Sequence, residues 1–410
     1  MTENQEYDVA IVGAGAAGLG AARALTQQGK SFVLFEASHR IGGRGYTEEV
    51  LPGVPFDLGC HWMHSASLNP MVKFADDFGV SYTKGRSSRA IHSNGKWSDD
   101  DDFADWDSFN ERQQKLIEKS ALNDTDCSTF GATEREHRWT PLFDYWSSVL
   151  ASCDVDQISI ADFMAYNDTG ENWPLKGGYG TLLSHLGADF RVSLNCAVQT
   201  INWSDKGVKL DTTKGTVRAK RVLVTVSTGI LAAGDISFVP ELPDWKSEAV
   251  SGLPLGNHNR ICLAYDRDVF GTDVPSGVTT DAIDDVPMAF DIRPFGFNYV
   301  VGLTGGRFAD WLERAGQQAS LDYAEKKLQA LFGSDITKHV TAHIVTAWRS
   351  DPWTKGAYSC ALPGQAHQRA ELAKPIDEII YFAGEATSPE FYSTAHGAFL
   401  SGIAAAEEMT

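Results

Sequence analysis

The start of the chain alternates short apolar runs with a longer segment of small residues. Tyr7 to Val12 is an apolar run with the length of a strand, and the Ala- and Leu-rich stretch from Ala16 to Gln27 predicts a helix. A second apolar run, from Ser31 to Phe35, predicts another strand. Strand, helix and strand in this order predict a βαβ unit whose two strands are parallel.

Apolar runs separated by turn residues recur later in the chain. They predict three strands in its middle part, at Cys196 to Ile201, Val208 to Asp211 and Arg221 to Val226. Near the end, Ile379 to Phe382 predicts a further strand, and a helix is predicted to begin near Thr394 or His396 and to reach about Glu408. Strand-to-helix transitions therefore stand at both ends of the chain.

Three glycines follow the first strand in the spacing of a nucleotide-binding turn. Gly13 permits the tight turn, Gly15 lets the backbone approach a pyrophosphate, and Gly18 lets helix and strand pack closely. The phosphates would then lie at the positive end of the helix. Glu36, directly after the second strand, is spaced to accept hydrogen bonds from ribose hydroxyls. This much of the pattern fits NAD and FAD equally.

The segment IGGR, which ends at Arg44, separates the two cofactors. Arg44 follows a glycine turn at Gly43, shortly after the ribose carboxylate, and a guanidinium there can pair with a pyrophosphate as a planar donor. The segment therefore favours FAD.

These motifs resemble the flavin-containing amine oxidase family, which includes monoamine oxidases, polyamine and spermine oxidases, and related histone demethylases. The runs VAIVGAGAAGLGAARAL and FEASHRIGGR carry the resemblance, which covers nearly the whole chain. Gly59 to Pro70, GCHWMHSASLNP, is similar to the GASW(I/L)HG motif of spermine and acetylpolyamine oxidases. The late segment FAGEATSPEFYSTAHGAFLSG is similar to their FAGEAT and YYST(T/A)HGA patterns, so the polyamine and spermine oxidase branch is the closest match.

The resemblance implies an α/β fold with two discontinuous domains. A Rossmann-like FAD-binding domain is expected to comprise residues 1–80, 173–240 and 351–410. A substrate-binding domain, built from a mixed sheet plus helices, is expected to comprise residues 81–172 and 241–350. The interface between two such domains is a favoured place for a ligand pocket, and we expect the active site there.

The resemblance also implies cofactor contacts beyond the first motif, at Gly59, Cys60, His61, Trp62, Val198, Glu385 and Thr394. Glu385 is expected near the ribityl and phosphate groups. The helix that begins at Thr394 is expected to face flavin N1 and the C2 carbonyl, where reduction places negative charge. Ala357 stands where monoamine oxidases carry the cysteine that links their flavin, so FAD is expected to be bound non-covalently.

Catalytic positions follow from the same resemblance. His64 matches an active-site histidine of the polyamine oxidase branch and would bind or repel a substrate ammonium depending on pH. Tyr358 matches one of two aromatic residues that flank the flavin in monoamine oxidases, and Thr394 takes the place of the second, as in spermine oxidases. His61 has no counterpart to which a role can be assigned.

Arg260 is the main departure from the family pattern. In LGNHNRICLAYD it stands where the family places a lysine that binds flavin N5 through water and is linked to oxygen reactivity. Arginine can hold a water or an anion there, but it cannot act as a base. The substitution puts oxygen use in question and leaves hydride removal from carbon unaffected. A structural ion pair at the domain interface is the alternative role for Arg260.

Composition is that of a large enzyme with an acidic surface. Of 410 residues, 43% are hydrophobic, and 54 acidic against 35 basic residues give a net charge of −19. Such a surface repels nucleic acids and anionic membranes and attracts cations. Within it, the acidic run from Asp99 to Asp102 is expected to be a solvated loop, and a helix is predicted from Phe109 to Ala121.

The cysteines show neither a CxxC pair nor zinc-like spacing. We therefore expect free thiols, no metal and a reducing, cytoplasmic compartment. No segment resembles a membrane span or a signal peptide. The sequence leaves the oligomeric state open.

The expected activity is FAD-dependent oxidation of a small amine, a polyamine or another primary or secondary amine. A hydride passes from the carbon beside a neutral nitrogen to flavin N5, the imine hydrolyses, and oxygen reoxidises the flavin to give hydrogen peroxide. Arg260 keeps two alternatives open: a dehydrogenase that uses another electron acceptor, and an amino acid oxidase that binds a substrate carboxylate. A flavin-binding protein without catalysis is a third. The sequence does not identify the amine, the carbon attacked or the carboxylates that bind distal ammonium groups.

Overall fold

The computed structural model describes residues 6–85, 88–93, 95–123, 126–204, 206–271, 273–280 and 286–409. The outermost ends of the predicted FAD-binding domain, residues 1–5 and 410, lie outside the described residues. The fold is α/β, as predicted, with two large sheets and helices packed against both.

The first sheet contains the predicted βαβ unit. Its strands are β1 (Glu6–Val12), β2 (Phe32–Phe35), β9 (Val192–Ser193), β10 (Val198–Ser204), β11 (Gly207–Thr212), β12 (Gly215–Val224), β13 (Ser237–Val239) and β19 (Ile380–Phe382). Their order is β13-β10-β11-β12-β1-β2-β9, with β19 also paired to β12. β1 runs parallel to β2 and β12, whereas β10, β11 and β12 form an antiparallel meander. All six predicted strands fall in this sheet, although β12 begins at Gly215, ahead of the predicted Arg221.

The second sheet is built from two separate parts of the chain. Its strands are β6 (Arg89–Ser93), β7 (Lys96–Trp97), β14 (His258–Tyr265), β15 (Gly277–Thr280), β16 (Met288–Ile292), β17 (Tyr299–Gly305) and β18 (Val340–Val345). They are ordered β18-β14-β17-β16-β15-β6-β7. Alternate side chains, such as Leu263, Phe290 and Val300, are buried in one apolar core on one face of the sheet. Two small pairs complete the strands, β3 (Thr47–Leu51) with β4 (Val54–Asp57) and β5 (Trp62–Met63) with β8 (Trp173–Pro174).

The helices connect and cover the sheets. They are α1 (Ala16–Gln27), α2 (Pro70–Phe78), α3 (Asp100–Leu122), α4 (Thr129–Ala132), α5 (Thr140–Ala151), α6 (Ile160–Ala165), α7 (Tyr179–Gly187), α8 (Thr228–Ala233), α9 (Asp244–Gly252), α10 (Gly306–Ala315), α11 (Gln317–Phe332), α12 (Gln368–Ala373) and α13 (Ala395–Glu408). Short 3₁₀ turns lie at Pro294–Gly296, Ser334–His339 and Glu385–Thr387. Helices α1 and α13 have the predicted bounds. Nowhere in the described ranges does a helix combine the length and apolar character needed to cross a bilayer.

The acidic run at Asp99 is not a solvated loop, and that prediction was wrong. The Asp99 side chain accepts a hydrogen bond from the Asp102 backbone, and the Asp102 carboxylate accepts one from the Asp99 backbone. This capping box starts α3, and acidic residues in a first turn also favour the helix dipole. The helix therefore begins at Asp100, well before the predicted Phe109.

Helices α1 and α13 cross at very short range because glycines face backbone at the crossing. A Cβ atom on Gly402 would lie 1.9 Å from the carbonyl oxygen of Ala17, and one on Gly20 would lie 2.3 Å from that of Phe399. The crossing joins the first and last segments of the chain. It brings the N-terminal ends of both helices to one cavity, which both ends line.

Candidate active site

One cavity of about 1420 Å³ extends between the two sheets. This exceeds the roughly 300–1,000 Å³ typical of a single small-ligand pocket, so the cavity has room for a dinucleotide and a second molecule. Almost every predicted site residue lines it: Gly13, Gly15, Glu36, Gly43, Arg44, Gly59, Cys60, His61, Trp62, His64, Val198, Arg260, Tyr358, Glu385 and Thr394. Gly18 does not line the cavity.

The glycine turn has the geometry predicted for it. Gly13 has a φ of +105°, and a Cβ there would lie 2.6 Å from the Thr225 hydroxyl oxygen. A Cβ on Gly18 would lie 2.0 Å from the Gly13 carbonyl oxygen, so this residue serves close packing beneath the turn. Gly15 precedes α1 and offers no capping side chain, which leaves the first N–H groups of the helix available to an anion.

Glu36 is fixed beside this turn. Its Oε2 accepts a hydrogen bond from the Ala14 N–H at 2.8 Å, and its Oε1 accepts one from the Ser38 N–H at 2.8 Å. Each carboxylate oxygen keeps a further lone pair for a hydroxyl donor. Val198, at the start of β10, lies in the same part of the chain as Cys196, whose N–H donates to the Glu36 carbonyl.

Arg44 and Glu385 join the first and last segments of the chain across the cavity wall. Arg44 Nη1 donates to Glu385 Oε1 at 2.9 Å and to the Ala357 carbonyl at 2.6 Å. Glu385 Oε2 accepts from the Ser359 hydroxyl and the Ser393 N–H. Burial alone would raise the pKa of Glu385, but Arg44 and the Ser359 hydrogen bond lower it below its ordinary value. Arg44 still has Nε and Nη2 without partners among the described residues.

The N-terminus of α13 opens on the cavity. Thr394 caps the helix, and its hydroxyl accepts a hydrogen bond from the Gly397 N–H at 3.0 Å. The N–H groups of the first turn and the positive end of the dipole therefore face the space where a negatively charged group would be stabilised. The helix start at Thr394 thus lies at the cavity, and its placement against a flavin stays a prediction.

Tyr358 contributes its ring to the cavity and not its hydroxyl. The hydroxyl donates to the carbonyl of Val149 in α5 at 2.5 Å. Burial raises the pKa of Tyr358 well above its usual range, so the phenol stays protonated. Ala357 beside it has no side chain that could form a bond to a cofactor. Burial likewise raises the pKa of the nearby Cys60 thiol to about 11, which makes that thiol unreactive.

His64 is held by a residue that the sequence did not single out. Its Nδ1 lies 2.6 Å from Asn172 Oδ1, and the pairing of β5 with β8 brings the two together. Burial lowers the pKa of His64, so the ring is neutral near pH 7. With Nδ1–H donating to the amide oxygen, Nε2 keeps its lone pair for a donor. The 108-residue separation of the two residues explains why no local pattern predicts Asn172.

His61, which the family comparison left without a role, is paired with Asp57. Its Nδ1 lies 2.9 Å from Asp57 Oδ2, and both side chains are buried. Asp57 also accepts hydrogen bonds from the Thr47 hydroxyl and the Tyr179 N–H. A carboxylate–histidine pair in a cavity wall fixes the ring orientation and leaves the other ring nitrogen to the cavity.

Arg260 is buried in the same wall, only 4% exposed. Its Nη1 donates to the Asp57 carbonyl at 2.9 Å, and its guanidinium lies 5.2 Å from the centre of the Phe56 ring. It forms no ion pair with any carboxylate of the described chain, so the alternative role of a structural ion pair is not realised there. Its Nε is buried without a partner, and Nη2 has no partner among the described residues. These are donors that a water or an anion would satisfy.

An apolar part of the wall comes from α5, α6 and the loop after α6. It includes the aromatic and aliphatic side chains of Phe143, Trp146, Leu150, Phe163, Met164 and Tyr166. Leu150 and Met164 are 69% and 43% exposed, which places them at the mouth. No group of His, Cys, Asp or Glu side chains in the described ranges is arranged to hold a metal ion. All six cysteines are free.

Comparisons with known proteins match the chain to one family. A family model described as flavin containing amine oxidoreductase matches residues 16–410. The chain is 29% identical over 443 residues to polyamine oxidase 4 of Oryza sativa subsp. japonica, an alignment that covers 98% of this chain and 88% of that protein. It is 25% identical to the probable polyamine oxidase 4 of Arabidopsis thaliana, with 98% and 87% covered. It is also 28% identical to lysine-specific histone demethylase 2 of Homo sapiens, covering 98% of this chain and 53% of that protein.

Proposed function

The chain belongs to the flavin containing amine oxidoreductase family, and from this we propose that it is an FAD-dependent oxidase of polyamines or other primary or secondary amines. One observation carries the proposal. A single cavity joins a nucleotide-binding turn and two helix N-termini to an aromatic chamber that contains His64 and Tyr358.

FAD fits the residues present. The glycine turn before α1 and the free donors of Arg44 suit its pyrophosphate, and Glu36 suits its ribose. The N-terminus of α13, capped by Thr394, suits the flavin ring. Because Ala357 offers no bond-forming atom, we propose that FAD is held non-covalently. Denaturation of the purified protein in acid should then release all of the flavin into the supernatant.

When bound, the flavin supplies a hydride acceptor at N5 and, once reduced, an electron donor to oxygen. The chain's own residues favour the neutral form of the reacting amine. Only a neutral amine has the lone pair that stabilises charge developing on the neighbouring carbon. The apolar wall disfavours an ammonium at that point, and the neutral His64 ring, with Nε2 free, can accept an N–H from the neutral amine. The Tyr358 ring, fixed through Val149, lines the same chamber.

The division into two domains also remains a proposal, and the sheets support it. All strands of the first sheet lie within 1–80, 173–240 and 351–410, the segments assigned to FAD. All strands of the second sheet lie within 81–172 and 241–350. The Arg44–Glu385 pair ties the FAD segments together, and Arg260 reaches from the second sheet to the Asp57 carbonyl.

A dehydrogenase that uses another electron acceptor is a second candidate, and Arg260 is the observation that favours it. Its guanidinium is anchored on the Asp57 carbonyl and cannot release a proton. It can still attract superoxide through its charge, so oxygen remains our proposed acceptor. An amino acid oxidase would need the free donors of Arg260 for the substrate carboxylate.

Turnover in air tests the proposal. The holoenzyme is incubated with spermine, spermidine, putrescine, simple monoamines and amino acids, and hydrogen peroxide and aldehyde are both measured. Equal amounts of peroxide and aldehyde from an amine support the oxidase. Aldehyde that forms only after a quinone is added indicates the dehydrogenase, and turnover of amino acids alone indicates the amino acid oxidase. No product under any condition contradicts all three.

A further inference from the structure

Asp291 is a carboxylate in the cavity wall that the activity described above does not use. It lies on β16, opposite Val301 of β17 and Gly277 of β15. Its side chain is partly buried and lines the cavity. Within the described part of the chain it has neither a hydrogen bond nor an ion pair.

The fully buried carboxylates of this wall have strong partners. Glu36 accepts two backbone N–H groups, Asp162 forms a paired contact with Arg369, and Glu385 binds Arg44. In each case a donor of the chain compensates the cost of removing the carboxylate from water. Asp291 lacks such a donor, although burial raises its pKa and shows that its desolvation is substantial.

Three basic groups surround Asp291, and none is in contact with it. Arg260, His61 and Arg89 all oppose the rise in its pKa from a distance. Arg260 is anchored on the Asp57 carbonyl, and the His61 ring is held by the Asp57 carboxylate. Arg89 is exposed on β6, and Gly277 of β15 lies between it and Asp291. The Asp57 carboxylate lies in the same wall and Arg89 is exposed to solvent, so both weaken the positive field around Asp291, whose carboxylate no contact compensates.

We propose that Asp291 binds a second cationic nitrogen of the substrate, so that the enzyme selects diamines and polyamines over monoamines. The inference rests on the proposed function and assigns the carboxylate that the substrate would meet. A primary or secondary ammonium brings the charge and the N–H donors that Asp291 lacks. The nitrogen undergoing oxidation stays neutral in the chamber of His64 and Tyr358, while the distal nitrogen stays charged.

The test compares ligands that differ by one charge. Anaerobic titration of the flavin gives Kd and the limiting rate of reduction for pentylamine, cadaverine and spermine in the holoenzyme. We expect wild type to bind cadaverine more tightly than pentylamine. In Asp291→Asn, Kd for cadaverine and spermine should rise at least tenfold, or about 1.4 kcal/mol. Kd for pentylamine should stay within about twofold, because pentylamine has no second ammonium for Asp291 to bind.

Glu118→Gln is the matched control, because Glu118 is an exposed carboxylate of α3 that also lines the cavity. Glu118→Gln should leave Kd unchanged for all three amines. The proposal is overturned if Asp291→Asn weakens the binding of pentylamine and of cadaverine equally. It is also overturned if wild type does not bind cadaverine more tightly than pentylamine. If no amine reduces the flavin, the proposed function fails. Calorimetric binding of cadaverine to wild type and Asp291→Asn then decides the role of Asp291: binding that the variant loses supports it, and equal or absent binding overturns it.

Discussion

At the scale of single residues, we propose that Arg260 limits the reaction of the reduced flavin with oxygen. The guanidinium is fixed by the Asp57 carbonyl and the Phe56 ring. A lysine in its place would be shorter, would carry a compact charge and could hold a water towards the flavin. We expect Arg260→Lys to accelerate reoxidation of the reduced flavin by roughly tenfold, about 1.4 kcal/mol in activation free energy. Stopped-flow mixing with oxygen measures this rate, with Arg89→Lys as the control. An unchanged rate would show that this position does not limit oxygen use.

Substitution of Tyr358 distinguishes a role of its ring in flavin reduction from a role of its hydroxyl. Because the hydroxyl donates to the Val149 carbonyl and not into the cavity, Tyr358→Phe should leave the rate of flavin reduction within about threefold. The lost hydrogen bond should lower the free energy of unfolding by about 1–2 kcal/mol. Urea unfolding and anaerobic reduction measure the two effects. A large loss of rate at unchanged stability would instead give the hydroxyl a direct role.

The residues that the sequence could not predict share one property. Only the folded chain brings Asn172 to His64, 108 positions away, and the Asp57 carbonyl to Arg260, 203 positions away. In contrast, Gly13, Glu36 and Thr394 belong to local strand–turn–helix patterns, where spacing alone fixes the geometry. The local geometry of these turns was therefore predictable, and the residues that orient the neighbouring side chains were not.

At the scale of elements, the crossing of α1 and α13 holds the two helix ends at the cavity. A methyl group at Gly402 would meet the Ala17 carbonyl at 1.9 Å, and this contact is with backbone that cannot turn aside. We expect Gly402→Ala to destabilise the protein by about 3 kcal/mol or more and to weaken FAD binding. Gly131→Ala in α4, whose nearest neighbour is 3.5 Å away, is the control. Similar melting temperatures for both variants would contradict this account of the crossing.

Element boundaries show where sequence patterns mislead. The helix predicted from Phe109 lacks the first turns of α3, although Phe103 and Trp106 continue its apolar spacing towards the N-terminus. The capping box between Asp99 and Asp102 decides the true start. A run of acidic residues next to a helix can therefore form the cap and first turn of that helix.

At the scale of the whole molecule, three partly or fully buried histidines link stability to pH. Burial lowers the pKa of His64, that of His258 to about 3 and that of His396 to about 4. The unfolded chain takes up protons near pH 6.5, whereas the folded chain does so only at lower pH. Stability should therefore fall as pH decreases below about 6.5, by up to about 1.4 kcal/mol per pH unit for each histidine.

Urea unfolding between neutral and mildly acidic pH measures this slope. His258→Gln removes one of the three groups and should flatten the slope in that range. A variant with the same slope as wild type would show that His258 is protonated equally in both states.

The central claim for the whole molecule is that this cavity oxidises amines with a bound flavin. Anaerobic mixing of the yellow holoenzyme with spermine, spermidine, putrescine and monoamines, followed by admission of oxygen, tests it most directly. We expect at least one amine to bleach the visible flavin absorbance in the absence of oxygen, and air to restore it. A flavin that every amine leaves fully oxidised would contradict the claim.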